Sequence, residues 1–244
     1  MHPIHDLALW APRHAYEGHS GSKMIHRPGW FQIITPGGRP GLNEVLVGGV
    51  VGEPEAGIDA VCATFTDAFK WCVYPWTQPS DLEERLVRRG FEAWGARAMT
   101  LNTAERLSTR LLAKPVDEST EERCAAVYHL GWGGELSEHL ERVRRRDDTT
   151  HFVVLADDEV VGAAATLDLP GGGYLTGAYV RPEGRGRGAY RALVAARLED
   201  LRLRGRERAI SHAREATSAP MLEHLGFETV FRYRICQGPS SKRP

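Results

Sequence analysis

A short run of alternating glycines and arginines, Gly184-Arg185-Gly186-Arg187-Gly188, constrains the fold of this chain more than any other stretch. The apolar segment from Tyr174 to Val180 precedes it and is typical of a β-strand. Beyond the run, apolar residues recur at helical spacing, at Tyr190, Val194, Leu198 and Leu201. The sequence therefore predicts a strand, a glycine loop and a long helix in direct succession.

This loop has the chemistry of an anion site. Its three glycines free the backbone to turn several N–H groups into one concavity. The first turn of the helix adds N–H groups without partners and the positive end of the helix dipole. Arg185 and Arg187 add charge-assisted donors. Together these features favour a diphosphate as the bound group.

Two other phosphate-binding motifs fit less well. The loop matches the loose G-x-G-x-x-G/A pattern of dinucleotide-binding folds, but that fold needs further β-α-β units. Here a hairpin precedes the loop, and only about one helix and two strands follow it. The chain also lacks the G-K-[S/T] sequence of a P-loop at this position.

Turn residues and apolar periodicity divide the rest of the chain into elements. In the C-terminal half the predicted helices are Glu118–Tyr128, Glu135–Arg146, 189 to about 204 and 218–225, and the predicted strands are 151–156, 160–167, 174–180, 208–213 and 228–235. In the N-terminal half the predicted strands are 43–50, 69–76 and 96–101, and the predicted helices are 58–67 and 80–89. The N-terminal half thus repeats part of the C-terminal order.

The two halves are most alike around a Gly-Phe pair. The segments Leu86-Val87-Arg88-Arg89-Gly90-Phe91-Glu92 and Leu222-Glu223-His224-Leu225-Gly226-Phe227-Glu228 share the leucine and the G-F-E ending. In both, we expect a helix, a glycine stop and a following strand. Chance similarity is one alternative to a repeat. A chain of 244 residues can hold two small domains or one long one, and a linker would run near 112–116.

Charge and cysteine content narrow the classes of function. Lysine and arginine number 31 against 32 acidic residues, so the whole molecule does not match nucleic acid electrostatically. The basic tract from Arg181 to Arg214 is interpreted as a solvated helix face or as a nucleic-acid-binding module, which would usually interleave aromatic residues. The four cysteines lack the spacing of metal sites and there is no H-E-x-x-H motif, so we predict no bound metal.

No apolar segment is long enough for a transmembrane helix. The N-terminus, Met1-His2-Pro3-Ile4-His5-Asp6, lacks the pattern of a signal peptide. We therefore expect a cytoplasmic protein without a membrane partner.

The stretch from Tyr179 to Leu193, Y-V-R-P-E-G-R-G-R-G-A-Y-R-A-L, resembles the acetyl-CoA loop of the GNAT N-acetyltransferase superfamily, whose pattern is R/Q-x-x-G-x-G/A. Arg185 and Gly188 match this pattern, whereas Tyr190 stands where glycine or alanine is usual. The order of elements also agrees, and Gly226-Phe227 matches the pair that commonly follows the family's last helix. The resemblance covers residues 115 to 236, with a weaker, degenerate copy at 30 to 103.

The resemblance implies an α/β (α+β) protein with two GNAT-like domains, each a mixed, largely antiparallel central sheet flanked by helices. Residues 1–114 would form a degenerate domain and residues 115–244 the domain that binds acetyl-CoA. The degenerate copy places Glu53 and Glu55 where a diphosphate would lie, so we expect it to exclude CoA. It would cover a sheet edge or shape the substrate cleft. Whether the chain forms a homodimer is left open.

The resemblance also implies a function: transfer of an acetyl group from acetyl-CoA to the primary amine of a small molecule, by direct attack. The backbone of Ala178, Tyr179 and Val180 would pair with the pantetheine arm and present the thioester. The diphosphate would be held by the loop and the start of the helix, at Arg185, Gly186, Arg187, Gly188, Ala189 and Tyr190.

Two departures from the family pattern concern the acid and the base. Leu222 occupies the position of a tyrosine that often protonates the departing thiolate, and Thr176 occupies the position of a glutamate base. Tyr190, Ser218 or His224 could replace the acid. His212, a water chain or an amine of low pKa could replace the base. The catalytic candidates are therefore His212, Ser218 and Thr176.

Each candidate also has a purely structural interpretation. His212 would pack within its strand, Ser218 would cap a helix, and Tyr190 would pack or touch phosphate. Glu135 and Asp168 could hold a cationic substrate, but a helix N-terminus and a solvated loop explain them equally well. The missing acid and base favour one alternative function, an acyl-CoA-binding sensor or pseudoenzyme.

Overall fold

A computed structural model of the chain describes residues 3–16, 21–35, 42–145 and 148–238. Its helices are α1 (Pro3–His14), α2 (Pro54–Cys62), α3 (Leu82–Arg88), α4 (Glu121–Trp132), α5 (Leu136–Arg144), α6 (Ala189–Leu203) and α7 (Ser218–Glu223). Its strands are β1 (Lys23–Arg27), β2 (Trp30–Ile34), β3 (Glu44–Val47), β4 (Lys70–Val73), β5 (Glu92–Asn102), β6 (Leu112–Pro115), β7 (Thr149–Ala156), β8 (Glu159–Leu169), β9 (Gly172–Val180), β10 (Arg208–Arg214) and β11 (Glu228–Gln237). Arg146, the last residue of the second predicted helix of the C-terminal half, lies outside the described residues.

The described chain divides into two compact units. Unit 1 contains residues up to 11, 99–212 and 222–228, and unit 2 contains 12–98, 213–221 and the residues from 229 onward. The first helix of the chain therefore belongs mostly to unit 1, and the last strand belongs mostly to unit 2. The domain boundaries 1–114 and 115–244 describe copies in the sequence and stay a prediction.

The sheet of unit 1 runs in the order β10-β9-β8-β7-β6, with the end of β5 beside β10. The strands from β6 to β9 pair antiparallel, whereas β9 and β10 pair parallel. Neighbouring residues of β7 enter different core clusters, with Phe152 and Val154 packing with α6 and Val153 packing with α4. Because successive side chains of a strand point to opposite faces, α4 and α6 cover opposite faces of this sheet.

The sheet of unit 2 runs in the order β1-β2-β3-β4-β11-β5. Its pairs are antiparallel from β1 to β3 and between β4 and β11, whereas β3 and β4 pair parallel. Residues of α2 and α3, including Ile58, Leu82 and Leu86, are buried with Trp30 and Trp71 of the sheet. The predicted fold class, a mixed and largely antiparallel sheet flanked by helices, is confirmed.

The Gly-Phe pair follows a helix in the same way in both units. In unit 2, the Phe91 N–H donates to the Leu86 carbonyl at 3.1 Å, and in unit 1 the Phe227 N–H donates to the Leu222 carbonyl at 3.0 Å. The glycine before each phenylalanine has a φ of +87° or +92°. Both leucines are fully buried. The predicted glycine stop after each helix is confirmed, because a positive φ at this place favours glycine.

The start of α2 differs from the prediction. The helix begins at Pro54 rather than at residue 58, because the Glu53 carboxylate accepts the N–H groups of Glu55 at 3.2 Å and Ala56 at 2.8 Å. A capping side chain followed by proline in the first turn is a helix start signal that the apolar spacing does not contain. The elements α1, β1, β2 and β6 are also absent from the prediction.

Candidate functional site

The glycine loop joins β9 to α6 in unit 1. After a short 3₁₀ turn at Pro182–Gly184, Gly186 and Gly188 adopt φ angles of +71° and +87°. A Cβ atom placed on either glycine would meet no atom within 4 Å, and both residues are exposed. Within the described residues, the N–H groups of Gly186 and Gly188 have no hydrogen-bond acceptor, and no side chain caps α6. The N–H groups of the loop and of the first helical turn can therefore bind an anion.

The third glycine of the run has a different role. Gly184 is buried, and a Cβ atom there would lie 3.0 Å from side-chain atoms of Val161 and Val180. Its N–H already donates to the Arg181 carbonyl at 3.0 Å. The expectation that all three glycines present amides to an anion is therefore wrong for Gly184, which lets the loop pack closely on β8.

The two loop arginines are held differently. The Arg187 guanidinium forms an ion pair of 2.9 Å with Asp157, which lies in the turn between β7 and β8. Both side chains are largely exposed, so this pair contributes little stability and can open at small cost. Arg185 is exposed, and its Nε donates to the Val180 carbonyl at 3.3 Å, at the end of β9. Both cations thus lie on residues that flank the open amides.

The edge of β9 that faces β10 is paired only at its beginning. The parallel register joins Gly173 to Ala209 and Tyr174 to Ile210, and no pairing of β10 with residues 176–180 is found in the described chain. The other edge of β9 contains a β-bulge between Thr176 and Tyr179. Thr176 pairs with Ala165 and Tyr179 pairs with Ala163, so β9 has one more residue than β8 over this stretch. Gly177 lies inside this bulge with a φ of +55°.

The bulge turns the end of β9 away from regular pairing. Ala178 is exposed, and Thr176, Tyr179 and Val180 are half-buried. The bulge was not predicted from the sequence, although a glycine inside a predicted strand is the usual signal of one. An extended ligand could therefore use the main-chain groups of residues 176–180 for hydrogen bonds.

Tyr190 lies in the first turn of α6, two residues after Gly188. Burial raises the pKa of its phenol, and the Arg197 guanidinium acts in the opposite direction. Arg197 is 1% exposed, and it donates to the carbonyls of Leu193 at 3.0 Å and Ala165 at 3.4 Å. The tyrosine therefore stays protonated at neutral pH beside a buried cation. The burial of Arg197 was not predicted from the sequence, because a charged residue in a helix usually faces solvent.

His212 is a neutral histidine in β10. Its Nε2–H donates to the carbonyl of Ala8 in α1 at 2.8 Å, and its ring meets the Tyr174 ring edge-on. Burial lowers the pKa of its imidazole to about 4. His212 is therefore a weak base.

The remaining acid candidates lie around α7. The Ser218 Oγ accepts the Arg214 N–H at 2.9 Å, within unit 2. This bond closes the turn before the helix, as the structural interpretation of Ser218 expects. Leu222 is 1% exposed and packs in unit 1, whereas His224 is exposed.

The acidic residues considered for a cationic substrate are also placed. The Asp168 carboxylate accepts two bonds from the Arg206 guanidinium, at 2.7 and 2.8 Å, and this arginine lowers the pKa of the carboxyl group. Asp168 is therefore already neutralised by a protein cation. Glu135 is exposed immediately before α5.

Unit 2 repeats the order of strand, loop, helix and parallel strand in β3, α2 and β4. In this unit, however, other residues of the chain occupy the N–H groups of the loop. The Val50 N–H donates to the Gln78 carbonyl at 2.7 Å, and a Cβ atom on Gly49 would lie 2.2 Å from that oxygen. The Glu53 carboxylate occupies the N–H groups at the start of α2. The N-terminus of α2 is therefore already capped by a side-chain carboxylate, in contrast to that of α6.

The described residues contain neither a metal-binding cluster nor a membrane-spanning helix. No group of three or more His, Cys, Asp or Glu residues there is arranged to hold a metal ion. None of the helices in the described ranges has the length and apolar character that crossing a membrane requires.

Comparison with known proteins gives a family for the C-terminal part of the chain. Residues 117–227 match the model of the acetyltransferase (GNAT) family. This range contains β9, the glycine loop, α6 and the Gly-Phe pair. No curated protein matches the chain.

Solved structures share the fold at low sequence identity. A functionally unknown conserved protein from Staphylococcus epidermidis ATCC 12228 superposes with a TM-score of 0.67 at 12% identity, over 89% of this chain and 94% of that one. A GCN5-related N-acetyltransferase from Kribbella flavida gives 0.65 at 13% identity, over 97% and 94%. Another from Sphaerobacter thermophilus gives 0.59 at 17% identity, over 78% and 66%. Residues 117–227 of the chain therefore form a GNAT-family acetyltransferase domain.

Proposed function

We propose that the chain transfers an acetyl group from acetyl-CoA to the primary amine of a small molecule by direct attack. The observation that carries the proposal is the uncapped start of α6, where the exposed amides of Gly186 and Gly188 have no acceptor in the described residues. These amides, with Arg185 and Arg187, would hold the diphosphate. Acetyl-CoA would supply the activated acyl group as a thioester.

The residues present fit such a carrier. Glycine is required at both open positions, because a side chain is strained at these positive φ angles. The main-chain groups of Ala178, Tyr179 and Val180 would bind the arm along the unpaired edge of β9. A strand N–H there would stabilise negative charge that develops on the carbonyl oxygen of the thioester. Ala189 and Tyr190 would complete the phosphate site.

Neither Thr176 nor His212 is a strong base. Thr176 cannot accept a proton usefully near pH 7, and burial leaves His212 with a pKa of about 4. We therefore propose that the unprotonated fraction of the amine attacks and that its proton leaves to solvent. The C–S bond then breaks, and the thiolate departs without a strong acid, since a thiol has a pKa of about 8.5.

A double variant tests the carrier site. Arg185→Ala with Gly188→Glu removes one cation and places a carboxylate at the open amides, so the Kd for CoA should rise at least about tenfold, which is about 1.4 kcal/mol. The matched control is Arg204→Ala with Gly205→Glu, which makes the same exchanges at the other end of α6. Gly205 also has a positive φ, +71°, with open space around it. Unchanged CoA affinity in the first variant would refute the placement.

Activity is tested by following free thiol while the protein and acetyl-CoA are incubated with a panel of primary amines. We expect thiol release that depends on the amine and that increases with the unprotonated fraction of the amine. A second function, an acyl-CoA-binding sensor, is favoured by Leu222 and Thr176 at the usual positions of acid and base. CoA binding without thiol release from any amine would support the sensor and contradict the transferase.

A further inference from the structure

An exposed tryptophan lies over the bulge of β9. Trp132 is the last residue of α4 and is 40% exposed. Its indole meets the Tyr179 ring at 6.3 Å between centroids, and a Cβ atom on Gly177 would lie 3.8 Å from the tip of the indole. The tryptophan therefore borders the part of β9 that lies next to the proposed thioester.

The position of this indole is fixed by packing. The indole also meets the buried Tyr128 ring, at 5.1 Å between centroids. One residue earlier, a Cβ atom on Gly131 would lie only 2.6 Å from the Tyr179 ring, so glycine is needed for α4 to approach β9 this closely. The close approach of helix and strand holds Trp132 over Gly177.

The turn after Trp132 is fixed by two histidines. Gly133 and Gly134 have φ angles of +65° and +81°. His139 Nε2 lies 2.7 Å from the Gly133 carbonyl, and His129 Nδ1 lies 2.7 Å from the Gly134 carbonyl, so each ring N–H donates to one of these oxygens. Both partners belong to the helices that flank the turn. The indole thus stands on an ordered turn.

Two exposed apolar residues flank the turn that carries the indole. Leu130 and Leu136, on either side of the turn, are 59% and 47% exposed. The turn itself, from residue 130 to residue 134, contains no titratable side chain. Of the two acids considered for a cationic acceptor, Asp168 is already paired with Arg206, whereas Glu135 is exposed immediately after this turn. The indole and the two exposed leucines suit a flat hydrophobic group.

We propose that Trp132 is a specificity-determining residue of the acceptor site and that the preferred acceptors are primary amines carrying an aromatic ring close to the amino group. The ring would stack on the exposed face of the indole, which places the nitrogen over the bulge of β9. This inference rests on the proposed function, because that function puts the thioester beside Gly177. Tyr179 supports the indole from the strand.

The test compares matched amines in the thiol-release assay. Benzylamine and cyclohexylmethylamine have rings of similar size, and spermidine represents polycationic acceptors. Rates are compared at equal concentrations of unprotonated amine. We expect kcat/KM for benzylamine to exceed that for cyclohexylmethylamine at least about fivefold, since an aromatic pair is worth about 1 kcal/mol beyond burial.

Substitutions of Trp132 distinguish aromatic stacking from the effect of side-chain size. Trp132→Ala should lower kcat/KM for benzylamine about tenfold, mainly through KM, and change the value for cyclohexylmethylamine less than threefold. Trp132→Phe should keep most of the aromatic preference, whereas Trp132→Leu should lose it. The matched control is Leu203→Ala, another exposed apolar residue of unit 1, which should change neither value.

The outcomes distinguish the two proposals. Thiol release that prefers spermidine, or an equal loss for both cyclic amines in Trp132→Ala and Trp132→Leu, would overturn the role of Trp132 and leave the transferase intact. Absence of thiol release with every amine would overturn the transferase itself. Thermal unfolding of each variant is measured first. If Trp132→Ala unfolds early, the comparison of Trp132→Phe with Trp132→Leu decides.

Discussion

The Nε2–H of His212 donates to the main-chain carbonyl of Ala8 at 2.8 Å, which joins β10 to the first helix of the chain. Burial lowers the pKa of this imidazole from 6.5 to about 4. The unfolded chain therefore binds a proton at a higher pH than the folded one. The free energy of unfolding should fall as the pH drops from about 6.5 to about 4, and no further below that, by about 3 kcal/mol in total.

Urea denaturation of the wild type and of His212→Gln at pH 7.5 and pH 4.5 measures this contribution. Since other groups titrate in both proteins, the difference between their pH slopes isolates the histidine. We expect the variant to lose less stability than the wild type between the two pH values. Identical slopes would contradict a buried neutral histidine at this position.

Gly131→Ala should destabilise the protein, although alanine usually favours a helix. The new Cβ atom would lie 2.6 Å from the root of the Tyr179 ring, which cannot swing away like the end of a flexible chain. Such overpacking costs about 1–3 kcal/mol. Urea denaturation measures the loss, and Tyr179→Ala provides the second arm of a double-mutant cycle. In that background, Gly131→Ala should be neutral or stabilising, and a loss of the same size in both backgrounds would contradict the clash.

Glu53→Ala should destabilise unit 2 by removing the cap of α2. The carboxylate accepts the N–H groups of Glu55 and Ala56, and loss of a capping side chain costs about 1 kcal/mol. Glu53→Asn, which keeps a capping acceptor, should retain part of the stability. Chemical denaturation compares the three proteins. Equal stability of Glu53→Ala and the wild type would show that water replaces the cap at no cost.

Asp168→Asn should affect stability but leave acceptor binding unchanged. The Arg206 guanidinium holds the pKa of Asp168 below its usual range, so the charged pair stabilises the fold above the ordinary carboxyl pKa of about 3.9. This contribution is lost as the pH falls through the lowered folded-state pKa. The difference in stability between wild type and variant should therefore be present at pH 7 and shrink in acid. The KM for amines should stay within about twofold, and a large rise would show that Asp168 binds the acceptor.

The strand, loop and helix of the candidate site could be predicted from the sequence, because each depends on residues that are neighbours in the chain. Glycines at positive φ, apolar spacing and a following glycine stop are local signals, and they place β9, the loop and α6 within a few residues of their observed bounds. The partners of the site side chains are not local. Ala8 and His212 are separated by most of the chain, so their hydrogen bond follows from the packing of α1 and has no sequence pattern.

The missed elements have weak patterns for physical reasons. The strand β1, Lys-Met-Ile-His-Arg, is largely exposed, so it lacks the alternation of a half-buried strand. The strand β6 is short and ends in proline, which usually argues against a strand. The role of Gly184 could not be separated from those of Gly186 and Gly188, because packing against Val161 depends on the neighbouring strand β8.

The strand β11 is the last element of the chain, yet it pairs with β4, an element of the N-terminal half. During synthesis on the ribosome, this edge of β4 therefore stays uncovered until residues 234–237 have been made. Contacts between such distant segments slow folding and leave strand edges open to wrong partners in the meantime. Expressing either half of this sequence alone would leave β4 or β11 without its partner strand, so a fragment that completes this sheet must include both segments.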